Sequence, residues 1–132
     1  MDNHDYEVLA QFRYEMRRYL RFSEEAARSY GLEPQQYQLL LAVRGMPGDA
    51  ETTIVALAEQ MQLRHQSVVE LIDRMQVRGL VERSRSATDR RRVVIKLTDE
   101  GERLVALAAA THVERLSTVA PTLVETLRHF SA

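Results

Sequence analysis

A chain of 132 residues with 45% hydrophobic and 28% charged content suits one compact domain, or one domain carrying extra helices that serve an oligomer. The absence of cysteine excludes disulfides, thiolate metal sites and thiol redox sensing. With no run of eighteen apolar residues and no basic-then-apolar leader, the default expectation is a cytoplasmic protein.

From about Asp5 to Tyr30 the residues Leu9, Phe12, Met16, Tyr19, Ala26 and Tyr30 recur at spacings of three and four, interrupted at Ser23, which predicts a long amphipathic helix. It carries six of the chain's eight aromatics, more than one side of a lone surface helix needs, and Gly31 stops it. Pro34 opens a second helix through Tyr37, Leu40, Leu41 and Val43, ended by the loop Gly45-Met46-Pro47-Gly48-Asp49. Thr52 or Thr53 caps a short third helix with Ile54, Leu57, Ala58 and Met61 on one face, and Gln62-Leu63 makes a tight connection. A fourth helix from Arg64 to Arg78 places Val68, Leu71, Ile72 and Met75 inward, leaving Gln66, Val69, Glu70, Asp73 and Arg74 on the opposite side.

After Gly79, Leu80 to Arg83 and Arg92 to Leu97 read as two strands, the second turning Val93, Ile95 and Leu97 inward, with a polar tip from Ser84 to Arg91. Thr98 caps a fifth helix that runs to about Val119, and Pro121 starts a last short helix with Leu123, Val124, Leu127 and Phe130 as its stripe. The fold class expected is mainly α with a small β-hairpin: a winged helix-turn-helix lobe over 32–101, flanked by dimerisation helices over 1–30 and 102–132 within a single domain.

The net charge of −1 hides a segregated distribution. Between Arg64 and Lys96 stand nine basic and four acidic residues, so this segment carries +5 and the rest of the chain −6. Eight of the nine are arginine, whose planar fork suits phosphate oxygens and guanine edges. A helix docked by one apolar stripe can offer its polar N-terminal half to a major groove while a basic hairpin reaches nearby phosphates or the minor groove. The candidate recognition residues are Arg64, His65, Gln66, Ser67, Val69, Glu70 and Arg74. The candidate wing residues are Arg83, Arg85, Ser86, Asp89, Arg90, Arg91 and Arg92.

Several stretches carry a family resemblance: Ile54 to Glu59, Leu71 to Met75 followed by Arg78 to Arg83, and above all Asp89-Arg90-Arg91-Arg92-Val93-Val94-Ile95-Lys96-Leu97-Thr98-Asp99-Glu100-Gly101. Together they resemble the multiple antibiotic resistance regulator (MarR) family of bacterial and archaeal repressors. That resemblance implies a wing arginine inserted into the minor groove and held by an aspartate two residues earlier, positions matched by Arg91 and Asp89, with Arg85, Arg90 and Arg92 as phosphate contacts. It implies a two-fold dimer built from the first helix and the last two, with Leu9, Phe12, Met16, Leu116, Leu123, Leu127 and Phe130 at the interface, and a pocket for small aromatic or phenolic anions drawn from Tyr14, Arg18, Tyr37 and His112. The partners implied are double-stranded DNA, a second copy of the chain and a small effector. One departure is Arg64-His65-Gln66-Ser67-Val68-Val69-Glu70, where relatives are richer in serine, threonine and arginine. Glu70 repels phosphate but can accept from a cytosine amino group, which implies an operator unlike the family's commonest.

An enzyme needs a nucleophile with a partnered base or clustered carboxylates, and neither is written here; nor is a phosphate-cradling glycine loop or a His-Glu-x-x-His zinc site. The four histidines lack close ligand spacing, so no metal and no cofactor are expected. The alternative from another class is a winged helix that binds protein rather than specific DNA, against which stands the arginine concentration at the hairpin tip.

Overall fold

The structure, a computed structural model, describes residues 1–48 and 50–131. Asp49, read from sequence as part of the loop after the second helix, and Ala132, at the end of the expected terminal helical region, lie outside the described residues.

The element order is α1 (Asn3–Ser29), α2 (Pro34–Arg44), α3 (Ile54–Met61), α4 (His65–Val77), β1 (Val81–Arg85), β2 (Val93–Leu97) and α5 (Asp99–Arg128). Local chemistry sets most of the boundaries. Asp2 and Asp5 each accept the other's backbone N–H at 2.9 Å, a reciprocal cap that starts α1, and Gly31 at φ +77° ends it. Thr53 Oγ1 accepts from Ala56 N–H to begin α3, which closes on Gln62 in the left-handed region at φ 53°. Gly79, at φ +73°, turns α4 into β1.

The core gathers Leu39 and Leu40 of α2, Leu57 of α3, Val68, Ile72 and Met75 of α4, Ile95 of β2, and Val105 and Ala108 of α5. The inward stripe read for α4 is the buried one: Val68, Leu71, Ile72 and Met75 all leave solvent. β1 and β2 pair antiparallel from Val81 against Leu97 to Arg85 against Val93. On the far side of β2, Ile95 N–H donates to Thr52 C=O at 2.8 Å, so the segment leading into α3 anchors the hairpin.

The hairpin differs in detail from simple alternation. Val94 is buried as well as Ile95, because the second face of β2 is also covered at that point. β1 reaches Arg85, two residues past the expected end, because polar Ser84 and Arg85 still pair with Val94 and Val93.

The larger correction lies at the C-terminus. No separate terminal helix starts at Pro121; α5 runs unbroken for 30 residues with Pro121 inside it. A proline removes one hydrogen bond and crowds the carbonyl four residues back, and Ser117, Thr118, Val119 and Thr122 beside it are only moderate helix formers, so local preference does not by itself carry α5 through. Packing along α1 supports this end, where His129 Nε2 lies 2.8 Å from Asp5 Oδ1.

Candidate nucleic-acid interface

The N-terminal half of α4 presents its polar side outward because its apolar stripe is spent on the core. Arg64, His65, Gln66, Ser67, Glu70 and Arg74 are exposed, and Val69 is half-buried beside the stripe. Gln66 Nε2 stands 3.5 Å from Glu70 Oε1, one turn on, so the amide donates toward the carboxylate while its oxygen stays free to accept.

At the hairpin tip Asp89 grips the base of Arg91 three times. Its Oδ1 accepts from Arg91 N–H at 3.0 Å and from Nε at 3.2 Å, and its Oδ2 lies 3.5 Å from Nη2. The Arg91 side chain is nevertheless 92% exposed, so the pairing orients the guanidinium without covering it. The side-chain bonds from Arg91, then its backbone N–H, hold the Asp89 carboxyl below the usual aspartate range. Arg85 and Arg90 are also exposed.

Three residues expected at a wing contact surface are also paired with other residues of the chain. Ser86 is only 4% exposed: its hydroxyl donates to Glu51 Oε1 at 2.5 Å and accepts from the backbone N–H groups of Thr88 and Asp89, each at 3.1 Å. Arg83 is drawn back onto α4, donating to Asp73 Oδ1 at 2.6 Å and to Gln76. Arg92 Nη1 sits 3.3 Å from Glu51 Oε2, half-covered. Arg83 lies within β1, and Ser86 and Arg92 bracket the start of the tip, where neighbouring elements supply acceptors, whereas Arg90 and Arg91 project beyond them.

Glu51 is the residue that sequence reading missed. It accepts from Ser86 and from Thr88 Oγ1 on one oxygen and pairs with Arg92 on the other, and the Ser86 bond leads the causes that lower its carboxyl below the usual glutamate range. No local pattern marks it, since its partners lie 35 or more positions away.

Residues 30–92 match the model described as the MarR family. Over this segment the chain is similar to the MarR-family winged helix. The transcriptional regulator HosA of Escherichia coli O157:H7 is 38% identical over 77 residues, covering 58% of this chain and 55% of that protein. The chain therefore spans about half the length of the curated relatives it matches. A MarR family protein from Bacillus stearothermophilus superposes with a TM-score of 0.77 at 25% identity, covering 90% of this chain and 81% of that one. CouR from Rhodococcus jostii RHA1, solved bound to p-coumaroyl-CoA, gives 0.71 at 26% identity, covering 91% and 88%.

The four residues read as a ligand pocket divide into two environments. Tyr37 stacks on His112 with ring centroids 4.3 Å apart and planes 9° from parallel, both buried, with Tyr19 and Phe22 edge-on. A carbonyl can only accept, so in the neutral ring His112 Nδ1–H donates to Ala108 C=O at 2.7 Å and Nε2 accepts from Ser23 Oγ at 2.8 Å. That contact accounts for the polar interruption in the α1 stripe. Burial pushes the Tyr37 and Tyr19 hydroxyls above their usual values. Tyr14 and Arg18 stand instead on the open part of α1, the guanidinium carbon 5.7 Å from the ring centre.

A cleft of about 600 Å³ opens between the ends of α1 and α5, lined by His4, Glu7, Val8, Gln11, Glu125 and His129 among others. Among the described residues no group of three His, Asp or Glu side chains is arranged to hold a metal ion.

α1 contributes only Ala26 and Ala27 to the buried set. Leu9, Met16, Leu116, Leu127 and Phe130 are exposed while Phe12 and Leu123 are half-buried, and Tyr6, Leu20, Val113 and Val124 extend the same apolar exposure. Among the described residues no helix is long and apolar enough to cross a membrane.

Proposed function

We propose that this protein is a sequence-specific DNA-binding transcriptional regulator acting as a homodimer on a pseudo-palindromic operator, most simply as a cytoplasmic repressor. The observation that carries the reading is the Asp89-braced, solvent-projecting Arg91 on a hairpin beside the exposed polar face of α4. An acid near a duplex repels phosphate, and Asp89 avoids that cost by spending its charge on orienting Arg91. The match to the MarR family and the similarity to the regulator HosA support this reading.

In it, 32–101 is the reading lobe, while α1 and α5 form the dimer base, their exposed apolar faces covered by a second copy. A two-fold axis then sets two α4 helices about 34 Å apart, one duplex turn. The chain acts by binding rather than by catalysis. A small effector that prefers a dimer of different spacing releases DNA in proportion to its differential affinity for the two forms. CouR's p-coumaroyl-CoA, which carries a phenol ring, makes aromatic or phenolic compounds the class to screen.

In vitro selection of bound duplexes tests the reading. Enrichment of an inverted repeat with half-sites about 10 bp apart is expected. Recovery of no sequence above background overturns it and favours the winged helix as a protein-binding module. Light scattering at micromolar concentration checks the assembly: twice the chain mass is expected, and a monomer contradicts the dimer.

A further inference from the structure

We propose that Glu51 is the positioning residue of the wing, fixing the angle at which the Asp89–Arg91 pair meets a duplex; this rests on the DNA-binding reading above. The β ladder ends where Arg85 pairs with Val93, so the tip beyond it has no further strand pairing to hold its direction. Inside the tip, Ser86 N–H donates to Arg92 C=O and Arg92 N–H to Asp89 C=O, both at 2.9 Å, which closes the turn on itself but attaches it to nothing else. The attachment is Glu51. One carboxylate oxygen takes the hydroxyls of Ser86 and Thr88, at 2.5 and 3.1 Å, and the other takes Arg92 at 3.3 Å.

Glu51 is itself held in place. The next residue, Thr52, accepts from Ile95 of β2, and Thr53 N–H donates to Glu51 C=O at 3.1 Å while Thr53 caps α3. A continuous hydrogen-bonded path therefore runs from the start of α3 through Glu51, Ser86 and Asp89 to Arg91. The buried Ser86 hydroxyl is its hinge: it donates to Glu51 and accepts from Asp89 N–H at 3.1 Å, so losing the carboxylate loosens the very residue that braces Arg91. The pairing also engages Arg92 where the tip begins, leaving Arg90 and Arg91, which do not pair with Glu51, as the cations farther out on the tip.

The sign of the effect separates positioning from charge. Removing an acid from a surface that faces phosphate strengthens binding if charge alone matters. Positioning requires the reverse, since a guanidinium that must be ordered on binding costs affinity.

The test uses the full-length protein and the duplex that wild-type selection recovers. Wild type finding no duplex defeats the DNA-binding reading itself, so the two failures are distinct. Glu51→Ala is expected to raise Kd about tenfold. In hydroxyl-radical footprints it should lose protection in the minor grooves flanking the α4 contacts while the central protection persists. In an Arg91→Ala background the same substitution should change Kd less than twofold. Glu51→Gln, whose amide oxygen still accepts from Ser86 and Thr88, should stay within about threefold of wild type. Equal or tighter binding by Glu51→Ala, uniform weakening of the footprint, full additivity with Arg91→Ala, or Glu51→Gln as weak as Glu51→Ala each overturns the proposal.

Discussion

Arg91 Nε lies 3.2 Å from Asp89 Oδ1, yet 92% of the arginine side chain faces solvent. A pair so exposed contributes little to folding, because surface ion pairs are screened and entropically costly. Its consequence is directional, and a guanidinium held upright at a hairpin tip is prepared for a narrow, electronegative groove. Arg91→Ala should weaken binding about tenfold or more on any sequence and lower the salt slope by roughly one ion per wing, read by fluorescence anisotropy across a salt series. Asp89→Ala should also weaken binding, by less, although it removes a negative charge.

Gln66 and Glu70 share one exposed turn of α4 at 3.5 Å. If they face base edges, Gln66→Ala and Glu70→Ala will change which base is preferred at a given position by about 1–3 kcal/mol, with little change in salt slope. Repeating the duplex selection with each variant reads this directly. An unaltered consensus places both side chains off the bases.

Gly101 sits in the first turn of α5 where a Cβ would come within 2.1 Å of the Leu80 carbonyl oxygen. Helix and hairpin approach at backbone contact there, with Thr98 N–H also donating to that carbonyl at 3.1 Å. Gly101→Ala should destabilise the fold by about 1–3 kcal/mol, seen as a lower Tm. Gly48, where a Cβ would meet nothing within 4 Å among the described residues, is the control: Gly48→Ala should change stability by no more than about 0.5 kcal/mol.

Pro121 interrupts the hydrogen bonding of α5 without ending it. Pro121→Ala restores a donor and a good helix former, so the Tm should rise, with up to about 3 kcal/mol available from the removed proline cost. A lower Tm would mean that the proline's local shape is needed by the packing of α5.

Acid should release the wing from its anchor. Ser86, then Thr88 and Arg92, hold the Glu51 carboxyl below the usual glutamate range, so its contribution is complete above the unfolded glutamate value and is lost as pH falls through the lower folded value. In an acid titration followed by amide NMR, the Thr88 and Asp89 signals should move together with a midpoint below the usual glutamate range, while signals from the α4 core hold longer. Glu51→Gln should abolish that transition.

Periodicity and punctuation in the sequence determined the helices, the hairpin and the buried stripe of α4, because these depend on residues three or four apart and on turn formers next to them. The charge segregation that points to a DNA partner is likewise a property of order along the chain. The Asp89–Arg91 contact was implied by the family resemblance of the stretch from Asp89 to Gly101. Tertiary structure alone decided what depends on distant partners. Glu51 joins Ser86 across 35 positions, Ser23 meets His112 across 89, and Arg83 turns away from the wing to Asp73. The continuity of α5 through Pro121 belongs with these, since a proline's local preference to begin a helix was overridden by the helix it lies in and by α1 packed alongside. Local preferences are worth up to about 1 kcal/mol for most residues and about 3 kcal/mol for proline, and contacts made only on folding can outweigh them.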